Sequence, residues 1–269
     1  MDGRPTVALA ELARVLEEAA GVSLAGGLDR VLEHGLREAA LALGEDPMAL
    51  ARRAAAREPD AVAALVDHAL VGETAFWRHP PQLAAIGRLA RRAPGALSIW
   101  CAGCASGEEP YGVAMALLDA GREGRGDRIL GTDVSERALA AARAGIYGPR
   151  SLRGLPDFLA FRWLEPTPAV DRRRVADPVR ALVSFARHNL AADPLPAGAP
   201  FDVVLCRNVL IYFEPAAAAA VLYRLVAALR PGGALVLGPV ELPLASALAL
   251  DRVEDGGATL LVRPAEPPR

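Results

Sequence analysis

Residues 98–120 read SIWCAGCASGEEPYGVAMALLDA, and three textures follow one another within them. An apolar run carried by Leu97, Ile99 and Trp100 stops at the small-residue loop Ala102-Gly103-Cys104-Ala105-Ser106-Gly107, and apolar residues then return at helical spacing as Tyr111, Met115 and Leu118. The reading is strand, tight loop, helix. Gly103 and Gly107 allow a sharp turn and let the backbone approach a ligand with no Cβ in the way, as the first turn of a nucleotide-binding α/β sheet requires. Ser106 and Glu109 stand at capping-box spacing, and Pro110 falls in the first helical turn, where a missing N–H costs least.

The loop is acidic where a phosphate-cradling loop is bare. Glu108 and Glu109 occupy the end of the helix that would otherwise offer its free N–H groups to a pyrophosphate. Two carboxylates there suit a nucleoside with a cationic group, and S-adenosylmethionine carries a sulfonium and an ammonium. The competing reading is that they only complement the helix dipole. The segment RILGTDVS, residues 128–135, adds a short apolar strand ending in Asp133, some 26 residues beyond Gly107. An acidic residue at that distance takes ribose hydroxyls in dinucleotide folds. Loop and acid together make an adenosine site.

Three segments in this order, GCASGEEPYGVAM (103–115), GTDVS (131–135) and FDVVLCRNVLIYF (201–213), resemble the CheR-type chemoreceptor glutamate methyltransferases. The resemblance implies an α/β fold: a Rossmann-like class I methyltransferase sheet with a small antiparallel β insertion, preceded by an all-helical N-terminal domain. The expected boundaries are 1–90 for the helical, substrate-binding domain and 91–269 for the SAM-binding domain, with the insertion at about 150–182 and a linker at Arg91–Gly95.

Composition sets the bounds. Of 269 residues 52% are hydrophobic and 23% charged, the net charge is −2, and all 30 basic residues are arginine, so no basic footprint for nucleic acid is expected. Three cysteines, Cys101, Cys104 and Cys206, make no paired framework, and a single Cys-x-x-Cys without a second pair predicts no metal. No signal peptide and no membrane span are read, which predicts a cytoplasmic protein without membrane insertion.

Helical stripes run from Val7 to about Leu89: Val7, Leu12, Val15 and Leu16; Leu28, Val31, Leu32 and Leu36; residues 48–56; residues 61–70; with breaks at Gly21, Gly26-Gly27, Gly44 and Pro59. The second stripe interleaves Arg30 and Arg37 with Asp29, Glu33 and Glu38, which reads as a solvated mixed-charge face. Prolines 149, 156, 166, 168 and 178 punctuate short segments that fit a small antiparallel insertion. VSFARHNL (183–190) is a strand ending in Asn189, whose amide suits the adenine edge, with His188 beside it as a structural histidine. LDRVEDGGATLLVR (250–263) is a hairpin about Gly256-Gly257, and the last six residues are Pro-rich and expected to fray.

Carried onto this sequence, the resemblance assigns Thr74, Arg78, Gly103, Glu108, Asp133, Asn189, Leu190, Asn208 and Val209 to S-adenosyl-L-methionine and its product S-adenosyl-L-homocysteine. It assigns Arg78 and Tyr212 to catalysis. The segment Thr74-Ala75-Phe76-Trp77-Arg78 resembles the family's T-x-F-F-R, with Trp77 for the second Phe; Gly72 stands where the family often has a cofactor-contacting Asn. The implied partner is a methyl-accepting chemoreceptor or similar helical signalling protein, met by a monomer. No glycine-containing loop stands in residues 165–180, so docking through a receptor pentapeptide is not expected. The alternatives are methyl transfer to a different carboxylate substrate and a SAM-binding regulator without turnover; a dinucleotide oxidoreductase is disfavoured by Glu108 and Glu109.

Overall fold

Four apolar stripes at i, i+4 spacing become four helices, α1 (Arg4–Ala20), α2 (Asp29–Leu43), α3 (Pro47–Ala55) and α4 (Pro59–Ala69). The structure is a computed structural model that describes residues 4–23, 29–70 and 72–265, without the side chains of 4–8 and 29. The Val7 and Asp29 side chains, Gly26-Gly27, Leu28 and residues 266–269 lie outside the described residues. Leu12 with Leu16 and Leu32 with Leu36 stand one turn apart, so each pair faces one way; with Leu50 and Leu65 they fill a core of their own. Each such side chain contributes about 1.5–3 kcal/mol on burial. Pro47 and Pro59 open their helices, and the Asp46 carboxylate caps α3 by accepting the N–H groups of Met48 and Ala49 at 2.9 and 3.0 Å.

A fifth helix, α5 (Pro80–Arg92), changes partner. Its buried face, Leu83 and Ile86, joins Phe76, Met115 and Leu117 in the core beneath the sheet. The break expected at Arg91–Gly95 therefore falls one helix too late. Packing passes from the helical core to the sheet core between Leu70 and Phe76, because the apolar stripe of α5 matches the sheet-facing residues of the next helix.

From there strands and helices alternate: β1 (Ser98–Ala102), α6 (Glu108–Asp119), β2 (Arg128–Asp133) and α7 (Glu136–Ala144). The insertion follows, with β3 (Ile146–Tyr147), α8 (Pro149–Leu152), α9 (Asp157–Trp163), β4 (Leu164–Pro166), β5 (Arg173–Val175) and α10 (Asp177–Arg180). The main sheet resumes with β6 (Val183–Arg187), β7 (Phe201–Cys206), α11 (Pro215–Ala227), β8 (Leu229–Leu237), β9 (Asp251–Asp255) and β10 (Ala258–Val262). The seven-stranded order is β6-β2-β1-β7-β8-β10-β9, with β10 antiparallel to both neighbours. The expected hairpin forms in register, Ala258 opposite Asp255 across the turn Gly256-Gly257. Strand order reverses between β1 and β7, and in parallel sheets ligands bind at that switch point, outside the carboxyl ends.

Within the insertion, β3-β5-β4 form a three-stranded antiparallel sheet. Residues 158–163 are helical rather than extended, since Leu159 and Trp163, four apart, are the positions that reach the core. The capping box read at Ser106 and Glu109 is also corrected. Gly107, at φ +90°, takes the N-cap position, and the Ser106 hydroxyl donates instead to Glu108 at 2.7 Å. A Cβ at residue 107 would lie 2.6 Å from that of Ala142, so close packing on α7 demands glycine there.

Candidate active site

At the switch point the loop after β1 faces the turn after β7. The N–H groups of Gly103 and Cys104 both donate to the Thr132 carbonyl at 2.8 Å, folding the loop over the end of β2. The Ala105 N–H donates to the Asp133 carboxylate at 2.8 Å, which holds Ala105 at φ +47°. Of the four non-glycine residues with positive φ among those described, Ala105 and Asn208 line the resulting cavity and His79 adjoins Arg78, while Arg57 lies elsewhere. Such strain collects at functional sites.

The cavity measures about 340 Å³, within the range that holds small molecules. Thr74, Arg78, Gly103, Asp133, Leu190, Asn208, Val209 and Tyr212 all line it, so eight of the residues singled out in the sequence converge. The helical domain roofs it with Ala20, Val22, Asp67 and Leu70. Two roof contacts are specific. The Ser23 N–H donates to the Tyr212 carbonyl, and the Asp67 carboxylate accepts the Ser135 hydroxyl, each at 2.7 Å.

Glu108 and Asn189 are not among the cavity-lining residues. The Glu108 carboxylate is buried and accepts the hydroxyls of Ser106 and Ser151, both at 2.7 Å. The Asn189 amide is used within the protein, its Nδ2 donating to the Ala19 carbonyl and its Oδ1 accepting the Ala191 N–H, both at 2.9 Å. Glu109 does line the cavity, but it is ion-paired with the buried Arg207. The charge argument drawn from the two glutamates is thereby corrected, because neither is a free anion. What remains to meet a nucleoside is the Asp133 carboxylate, while the Asn208 Oδ1 is a buried acceptor beside the His79 ring. Asp133 fits S-adenosylmethionine, whose ribose hydroxyls donate.

Residues 72–247 match the family model described as CheR methyltransferase, SAM binding domain. The chain belongs to the CheR methyltransferase family. It is 38% identical over 218 residues to the probable biofilm formation methyltransferase WspC of Pseudomonas aeruginosa, covering 78% of this chain and 51% of that one. It is 37% identical over 171 residues to the chemotaxis protein methyltransferase of Klebsiella aerogenes, covering 62% and 59%, and 30% identical over 272 residues to WspC of Pseudomonas putida, covering 94% and 63%. The chain thus spans about half the length of the curated relatives it matches. S-adenosylmethionine is the cofactor of this CheR domain.

Burial pushes the Asp133 carboxyl above the ordinary aspartate value; backbone N–H groups of Ser135, Ala105 and Val134 work against the rise, and Asp67 adds to it. Burial also holds the His79 and His188 imidazoles below the ordinary histidine value, so both are neutral at pH 7. The His188 ring stands edge-on to Trp100 at 5.5 Å. Cys101, Cys104 and Cys206 are buried thiols raised well above their usual range by burial. Among the described residues no three His, Cys, Asp or Glu side chains are grouped to hold a metal ion.

Sequence reasoning missed Arg207 as a structural centre. Its Nε pairs with Glu109, and its Nη1 donates to the Arg78 carbonyl at 2.6 Å and to Gln82 at 3.2 Å. The arginine at the end of β7 therefore fixes the loop that carries Arg78. Asn189 supplies a prediction of its own. Asn189→Ala removes the donor to the half-buried Ala19 carbonyl and the acceptor of the Ala191 N–H, two bonds worth about 0.5–1.5 kcal/mol each, and is expected to cost about 1–3 kcal/mol in urea unfolding. An adenine contact would instead weaken S-adenosylhomocysteine binding at unchanged stability.

Proposed function

We propose that this CheR-family chain transfers the methyl group of S-adenosylmethionine to a glutamate side chain of a chemoreceptor-like signalling protein, giving a glutamate methyl ester and S-adenosylhomocysteine. The observation that carries the reading is that Arg78 and Tyr212 line one cavity with Asp133. A guanidinium and a phenol at one opening suit a carboxylate acceptor. The curated names of the relatives, chemotaxis protein methyltransferase and biofilm formation methyltransferase, support a signalling protein as partner.

The chemistry asks for alignment rather than proton transfer. A glutamate with a pKa near 4.3 is ionised at neutral pH, so its oxygen attacks without a base. The new C–O bond forms as the C–S bond breaks, the electron pair passes to sulfur, and both charges disappear. When bound, the cofactor supplies the activated methyl group. Asp133 would accept from the ribose, and Arg78 and Tyr212 would orient the acceptor carboxylate toward the methyl group. Such orientation is worth up to roughly 7–11 kcal/mol in well-aligned systems. Arg78 Nη1 donates to the Glu73 carbonyl at 3.1 Å, which leaves the rest of the fork for a carboxylate.

We place the reaction in the cytoplasm and assign it to a monomer acting without a pentapeptide tether. No helix among the described residues is long and apolar enough to cross a membrane. Incubating the chain with methyl-labelled S-adenosylmethionine and membranes of its host tests the chemistry. Label on protein that leaves as methanol in mild alkali is the expected result. Label that survives alkali excludes an ester, and label confined to small molecules favours a different carboxylate substrate.

A further inference from the structure

Glu241, in the loop after β8, has no solvent exposure, and its partners among the described residues are four backbone N–H groups. One carboxylate oxygen accepts from Asn208 at 2.7 Å and Gly238 at 2.9 Å; the other accepts from Val209 at 2.8 Å and Leu210 at 2.7 Å. Residues 208–210 are consecutive. With Asn208 left-handed at φ +60° and Val209 right-handed at φ −115°, ψ −46°, their amides converge in the concave arrangement that binds anions. The chain fills this concavity with its own side chain. Desolvating a carboxylate is costly, and several charge-assisted hydrogen bonds are needed to offset it.

The turn so fixed is a wall of the cavity. Asn208 and Val209 line it, and Leu210 begins the short 3-10 turn that ends in Tyr212. Val209 is seated on the first loop, for a Cβ at Gly103 would lie 2.6 Å from its Cγ2. A shift of residues 208–210 therefore moves the Asn208 amide, the contact with Gly103 and the Tyr212 phenol together. We propose that Glu241 is a positioning residue of methyl transfer, holding the amides of 208–210 so that Asn208, Val209 and Tyr212 keep their places around the cofactor. The assignment rests on the cofactor and acceptor roles proposed above for those residues.

Glu241→Gln keeps the size of the side chain but turns one acceptor into a donor facing two N–H groups. Thermal melting, hydrogen exchange over residues 207–212, calorimetry with S-adenosylhomocysteine and single-turnover methylation at saturating S-adenosylmethionine are measured on the folded variant. The expected result is faster exchange of residues 208–210 with Kd raised or the transfer rate lowered by roughly ten- to a hundred-fold. Leu235→Ala, buried in β8 away from the cavity, serves as a control of lowered stability that leaves both constants at parental values. A folded Glu241→Gln protein with both constants within about twofold of the parent overturns the proposal, whatever its melting temperature. Should that variant not fold, Gly238→Ala takes its place with the same readouts, since a Cβ there would lie 2.7 Å from Glu241 Oε2. A parent chain that binds no S-adenosylhomocysteine sinks the cofactor roles themselves and the proposal with them; a parent that binds it but methylates no protein sinks only the acceptor reading and leaves the binding arm to decide.

Discussion

Arg78→Ala is expected to slow single-turnover methyl transfer by about 10²-fold or more while the folded protein keeps nearly its parental stability. The two parts of the residue do different work. Its carbonyl accepts from Arg207, so the loop stays clamped after the side chain is removed. Among the described residues the half-buried guanidinium makes one hydrogen bond, to the Glu73 carbonyl; its loss falls among surface changes of about 0.5 kcal/mol. Arg78→Lys keeps the charge but not the planar fork and should recover only part of the rate. Tyr212→Phe keeps the ring against its neighbours, removes one hydroxyl, and should be the milder change. A purely structural role predicts the reverse pattern, with a lowered melting temperature and normal turnover of folded enzyme. If folded Arg78→Ala and Tyr212→Phe both transfer methyl at the parental rate with cofactor saturating, neither residue serves the chemistry.

The second large effect concerns Asp133. Asp133→Ala should weaken S-adenosylhomocysteine binding by roughly 10²- to 10⁴-fold, because two ribose hydroxyls lose a charged acceptor and each such bond is worth about 1.5–3 kcal/mol. It also leaves the N–H groups of Ala105 and Ser135 without their acceptor, so the loop after β1 loses its shape. Asp133→Asn removes the charge but keeps one of the two oxygens that accept from Ala105 and Ser135, so it disturbs the loop less than Asp133→Ala does. The pH dependence has a definite sign. The carboxyl of the free protein titrates above the ordinary aspartate value, and the ribose favours the ionised form. Affinity is therefore full above that raised pKa and falls as the pH drops through it. Without ligand the same burial acts oppositely on the fold: a raised acid pKa means stability present at low pH and lost as the pH rises through it. Calorimetry of S-adenosylhomocysteine from neutral to acid pH should show the loss in the parent and a flat profile in Asp133→Asn. A parent affinity that does not change with pH, or that Asp133→Ala leaves unaltered, would reduce Asp133 to a fastening for the loop.

What the sequence by itself determined is local. The strand-loop-helix of residues 98–119, the strand ending in Asp133 and the hairpin at Gly256-Gly257 were legible because periodicity, glycine and turn chemistry act between residues close along the chain. The convergence of Arg78 and Tyr212 was legible only through the order of three motifs resembling a family, since nothing local tells a helical domain to roof a sheet. The tertiary structure decided which partner each polar side chain takes. Glu109 reads as a bare anion until the fold brings Arg207 to it across 98 positions. Asn189 reads as an adenine contact until α1 presents the Ala19 carbonyl from 170 positions away. Glu241, in a loop with no motif to mark it, gains its meaning from the amides of residues 208–210. The physical reason is common to all three: a buried polar group must be paired, and the pairing is chosen by the crossovers that fill space around it, which bring together groups the order of the chain keeps apart.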